Sequence, residues 1–201
     1  MKIEKENLHY LFVYIIFSSA FFIPGLFLTL ALPSESVIYK TLLQNFELVK
    51  SVSSTSRFFV DLPMLISSFL GELKYLLFVF IACFTVHRHL LFVLLNSYRG
   101  FIAGVGCSLF LRVITIDNTT VMLPFITGII FIVMNVCNVI ILSKFSADSM
   151  MFSKKIIYPL KFSYFFKRKD TYSHLFRLLA LCGAEFIITL LKIGNMLFAF
   201  S

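Results

Sequence analysis

"FVLLNSYRGFIAGVGCSLF", residues 92–110, is almost wholly apolar or small, yet Arg99 stands near its middle. Nineteen residues make about 28 Å of helix, close to the thickness of a bilayer's hydrocarbon core. A charge at the centre of such a span costs about 2.5–3.5 kcal/mol on insertion scales. Three readings of Arg99 follow. It fastens helices together, it lines a path for a substrate or ion, or it snorkels to a headgroup without a partner.

The rest of the chain identifies the solvent. Of 201 residues, 59% are hydrophobic and 14% charged, with a mean hydropathy of +0.94. A soluble domain of this size cannot bury that much apolar surface. The expected fold is therefore an all-α integral membrane protein, a single bundle of about five transmembrane helices. With 26 Phe and no Trp, the eight Tyr must supply the interfacial anchors.

Five spans can be drawn. The first, 8–32, carries no Asp, Glu, Lys or Arg. Its apolar run exceeds the core of a secretory signal, which favours a retained anchor over a cleaved leader. Pro24 and Gly25 predict a kink near its far end. The second, 62–86, has Pro63 in its first turn and contains Glu72 and Lys74, expected near headgroup level in an oblique helix. "HRH" at 87–89 marks a turn. The third is 90–111, the fourth 121–142 and the fifth 175–200. Between the first two lies an outer segment, 33–61, where Ile38, Leu42, Phe46 and Val49 recur at helical spacing. It reads as an amphipathic helix lying on the membrane or packed on the protein.

Charge sets the orientation. Residues 143–177 hold eight basic residues and two acids, most of the net charge of +8. The segment 143–174 reads as a basic loop against anionic lipid on the cytoplasmic side of the cell membrane. The N-terminus shares that side and the C-terminus lies outside. Nucleic-acid binding is the weaker account, because these charges flank apolar spans.

Polar residues inside the spans are the candidate site. Asn96, Gly100, Gly104 and Ser108 fall four apart and line one stripe, a small-residue seam on which another helix can pack closely, with Asn96 available to hydrogen-bond across it. Asn135 and Asn138 share a face of the fourth span. Glu185 lies at a depth in the fifth span that matches Arg99 in the third, and an Arg99–Glu185 pair is expected. Lys192 follows on the same face as Glu185, able to share it or to snorkel outward.

No catalytic constellation is expected. His9, His87, His89 and His174 all fall at span ends, and no His-Glu-x-x-His or paired acids occur. The His-x-His at 87–89 lacks nearby further ligands. Cys83, Cys107, Cys137 and Cys182 are widely spaced and read as apolar filler. No cofactor or metal is implied. A transporter, or a membrane subunit of one, is the rival class, with a polar path through Arg99, Asn135, Asn138, Glu185 and Lys192, although no internal repeat is evident.

The run "RGFIAGVGCSLF", with Arg99-Gly100, Gly104 and Ser108, resembles the stage II sporulation protein M family, which keeps a basic residue and glycine followed by glycines at intervals of four. Arginine stands here for the usual lysine and serine for the last glycine. The layout of spans, outer segment and basic loop is similar as well. The fourth span reads "VMNVCN" at 133–138, keeping Asn135 but lacking the family's proline and glutamine. The resemblance implies a divergent, non-catalytic membrane scaffold that organises cell-wall hydrolases during forespore engulfment, docking them on its outer segments. The partners expected of such a protein are outer-surface or membrane proteins, a second copy of the chain among the options, with no nucleic acid involved.

Overall fold

The computed structural model describes residues 2–33, 40, 44, 62–117, 122–157 and 169–200. Among them are five helices: α1 (Lys2–Ala31), α2 (Leu62–Ala82), α3 (Arg88–Asp117), α4 (Met122–Ile157) and α5 (Lys169–Phe200). Each is long and apolar enough to cross a membrane. The protein is an all-α bundle of a multi-pass membrane type. The amphipathic reading of 33–61 lies almost wholly outside the described residues.

Large apolar side chains cover the outer faces of all five helices: Ile16 and Phe27 on α1, Ile81 on α2, Leu94 on α3, Val133 on α4, Ile187 on α5. In water this surface would be untenable. In lipid it is the expected exterior, and the polar residues turn inward. Buried among them are Asn96, Arg99, Asn135, Asn138, Asp148 and Glu185.

α1 and α3 run parallel and pack most closely. Tyr14 hydrogen-bonds His89 at 3.0 Å near one end, and Arg112 donates to the Leu32 carbonyl at 2.8 Å near the other. Glycine permits the approach. A Cβ on Gly100 would land on the Ser18 carbonyl, and one on Gly104 on the Phe22 carbonyl. From the other side, a Cβ on Gly25 would strike the Phe101 carbonyl. The expected seam therefore packs against α1. Helix α1 also continues through Pro24 without interruption. Its Ser18 donates to the Asn96 carbonyl at 3.1 Å, which builds the first span into the bundle.

α4 runs antiparallel to both, and it departs from the sequence reading. The fourth span was expected to end at 142, with a basic loop from 143. The helix instead continues to Ile157, and residues 145–150 are all buried. The reason is a stripe of small polar residues. Ser143, Ser146, Ser149 and Ser153 recur at three- or four-residue intervals and face neighbouring helices. The Ser146 hydroxyl accepts from the Asn96 amide at 2.9 Å, and Ser143 donates to Asn96 Oδ1 at 2.9 Å. Ser153 donates to the Cys83 carbonyl beyond the end of α2. Asn96 thus bonds through its side chain to α4 and reaches α1 only through its carbonyl. Ser108 stays within its own helix, donating to the Val105 carbonyl.

Charges near this end are also tied inward. Asp148 accepts from Asn7 and from Lys144, each at 2.9 Å, with Arg177 at 3.7 Å. Lys154 reaches Glu6 at 3.1 Å. Two lysines assigned to the basic loop therefore pair with acids of the bundle. All four cysteines are free thiols.

Candidate functional site

The polar centre lies where α2, α3, α4 and α5 meet. α2 and α3 form a hairpin through the turn at 83–87. Residues equally far from a hairpin turn come level with one another. Glu72 stands about three helical turns before it and Arg99 about three after. Arg99 Nη2 donates to Glu72 Oε1 at 2.6 Å, a short charge-assisted bond. Arg99 is only 4% exposed. Its guanidinium also lies 5.4 Å from the centre of the Tyr75 ring, within cation–π range.

This corrects the expected partner of Arg99. Glu72 is that partner, inside the bundle. No ion pair joins Arg99 to Glu185. Equal depth alone gave the expected pair, but a hairpin neighbour at equal depth is nearer than a helix reached across the bundle.

The two asparagines do share a face, and both meet α5. Lys192 Nζ donates to Asn135 Oδ1 at 2.9 Å, while the Asn135 amide donates to the Phe131 carbonyl at 2.9 Å. Asn138, in the amide orientation that satisfies its neighbours, donates to Glu185 Oε2 and to the Met134 carbonyl, each at 3.2 Å. Lys192 neither shares Glu185 nor snorkels outward. It lies 3.9 Å from Glu72 Oε1, so one carboxylate faces two cations. Burial explains the arrangement, because each polar group in an apolar medium gains by meeting another.

A cleft of about 340 Å³ adjoins this network. Ser68, Lys74 and Ile102 form its exposed rim, on α2 and α3. Arg99, Phe131, Asn135, Thr189 and Ile193 form its buried floor. Gly71 and Gly106 also line it, and a Cβ at either would meet open space. These glycines differ in kind from Gly100 and Gly104, since they border the cleft and are not pressed against a helix.

A second polar pair escaped the sequence reading. Ser149 Oγ lies 3.3 Å from His174 Nε2. A serine beside an imidazole is the start of a nucleophilic arrangement. Here it is closed. Ser149 is 0% and His174 3% exposed, and the imidazole stacks between aromatic rings, 4.2 Å from Phe152 and 5.3 Å from Phe145 between centroids. The signal was the serine stripe of α4, hidden by the assumption that residue 143 begins a loop. His89, of the His-x-His motif, is engaged with Tyr14. Among the described residues no three His, Cys, Asp or Glu side chains gather in a way that could hold a metal ion.

Compared with protein-family models, curated proteins and solved structures, the chain finds no match.

Proposed function

We propose that this chain is a non-enzymatic multi-pass membrane scaffold. One observation supports the reading above others: the intramembrane charges are engaged by other helices of the same bundle. Arg99 meets Glu72, Lys192 meets Asn135 and Glu72, and Glu185 meets Asn138. Charges bound in this way fasten a frame. The Ser149–His174 pair does not argue for catalysis, because a substrate has no access to it.

The resemblance of residues 99–108 to the stage II sporulation protein M family supplies the biological context of the proposal. On that reading the basic end, with the N-terminus and 155–168, faces the cytoplasm and anionic lipid. The segment between α1 and α2 and the C-terminus face outward, where cell-wall hydrolases would dock. The test is crosslinking from the outer surface, followed by affinity capture of the full chain. Recovery of a cell-wall hydrolase that is lost when residues 34–61 are replaced by a neutral linker is the expected result. Recovery that ignores the replacement, or no hydrolase at all, overturns it.

The cleft beside Lys192 favours a second reading, a membrane subunit of a transport complex. Protein-dependent solute flux in reconstituted vesicles would support that reading and remove the scaffold.

A further inference from the structure

The cleft has an electrical imbalance. Among the described residues three cations line it, Lys74, Arg99 and Lys192, against a single carboxylate, Glu72. Glu185 lies one turn before Thr189 on α5 and is bonded to Asn138. Including it still leaves the cations in excess. Among apolar walls, excess positive charge is costly, and a bound anion lowers that cost.

A second observation is independent of charge. Thr189, only 2% exposed, lines the same cleft, and its hydroxyl has no hydrogen-bond partner among the described residues. Buried polar atoms are nearly always satisfied, so an orphan beside a cavity points to something the cavity takes. A threonine hydroxyl can donate, and the surrounding cations select the sign of the acceptor.

We propose that the cleft between α2 and α3 is an oxyanion site that takes a phosphate group. Lys192 and Arg99 face the anion from the floor, Thr189 donates one hydrogen bond, and Lys74 attracts it at the rim. Glu72 holds Arg99 and offsets part of the positive charge, so the site prefers a group of low charge. Gly71 and Gly106 leave the room that the group occupies. The phosphate comes from a lipid headgroup entering through the exposed rim or from a soluble phosphate. Neither source depends on the scaffold or the transport reading.

The full chain would be purified in neutral detergent, and binding of inorganic phosphate measured by calorimetry. In parallel, native mass spectrometry would record lipid retained from phosphatidylcholine nanodiscs with and without phosphatidylglycerol. Thr189→Val keeps the shape and removes only the orphan hydroxyl. A structural hydroxyl without a ligand predicts unchanged binding and equal or higher stability. The proposal predicts about a tenfold loss of phosphate or phosphatidylglycerol binding, the worth of one hydrogen bond to a charged group. Gly106→Leu fills the cleft and should abolish binding. Where that variant fails to fold, Thr189→Val alone decides. Binding of inorganic phosphate identifies a soluble source, and retention of phosphatidylglycerol alone identifies a lipid. Absence of both, or binding unaffected by Thr189→Val, overturns the proposal.

Discussion

Replacing Glu72 should do more damage than replacing Arg99, and the geometry gives the order. Glu72 Oε1 lies 2.6 Å from Arg99 and 3.9 Å from Lys192. Glu72→Gln therefore leaves two cations facing one another with no carboxylate between them. Breaking a buried pair by removing one partner costs about 3–5 kcal/mol, and this variant belongs at the upper end. Arg99→Met leaves Glu72 with Lys192 still close. At an effective dielectric of 20, an attraction at that separation is worth about 4 kcal/mol before desolvation. Part of the loss is thus recovered, which places Arg99→Met near about 3 kcal/mol or below. The double variant Glu72→Gln/Arg99→Met removes both charges and leaves Lys192 with Asn135. It should fall within about 1–2 kcal/mol of the parent. The assay is unfolding of the purified protein in mixed detergent, with the parent and the three variants of the cycle compared. Membrane accumulation should follow the same order, since about 3 kcal/mol is more than a hundredfold in the folded-to-unfolded ratio. A matching cycle on Arg99 and Glu185 should show weaker coupling than the cycle on Glu72 and Arg99. Additive losses for Glu72 and Arg99, or strong coupling of Arg99 to Glu185 instead, would refute the assignment.

Gly104→Leu should cost about 1–3 kcal/mol by forcing α1 from α3, whereas Gly183→Ala, whose Cβ meets nothing, should be neutral or stabilise by up to about 1 kcal/mol; thermal denaturation of the two variants separates the cases. Asn96→Leu leaves the Ser143 hydroxyl without its acceptor inside the bundle and should cost about 1–3 kcal/mol in the same measurement. Alkaline phosphatase fused after Ser201 should be active and the same enzyme inserted in the 83–87 turn inactive; the opposite pattern would invert the proposed orientation. A fluorophosphonate probe should leave Ser149 unlabelled in the folded protein, and covalent labelling there would reopen the enzymatic reading.

The bundle was legible in the sequence because lipid imposes a coarse code. Five apolar stretches, each long enough to span, follow from hydropathy even where Glu72, Arg99 or Glu185 interrupts the run. The small-residue stripe was legible too, since Gly100 and Gly104 share a face by spacing, although spacing does not say which helix presses on it. The face shared by Asn135 and Asn138 was likewise correct, and their partners on α5 were candidates already. The failures have one physical origin. Hydropathy marks where a span stops being apolar, and it was read as where the helix stops. Ser143, Lys144 and Asp148 are polar, but they are satisfied by Asn96, Asn7 and one another, so the helix continues through them. The partner of Arg99 was missed for a related reason: Glu72 was read by its polarity alone, without asking what lay opposite in the hairpin.

Polar contacts in this bundle fall into two layers with different consequences. On the face of α3 that carries Asn96, Gly100 and Gly104, hydrogen bonds to Ser143 and Ser146 join α4 and the glycine contacts press α1 and α3 backbone to backbone, while Asp148 ties α4 to α1 through Asn7. Those contacts are short-range and geometric, and they tolerate no displacement without loss. On the face that carries Arg99, α2 meets α3 and α5 through Glu72, Arg99 and Lys192, where attraction falls slowly with distance. The cleft opens in this second layer, beside the helix held by charge. A group entering between α2 and α3 therefore need not disturb the packed seam. An anion there would compete with Glu72 for Lys192 before it reached the shorter bond to Arg99. The contacts that fix the frame and the cleft that can accept a ligand lie on different faces of α3, and the Arg99–Glu72 pair joins the two helices of the hairpin.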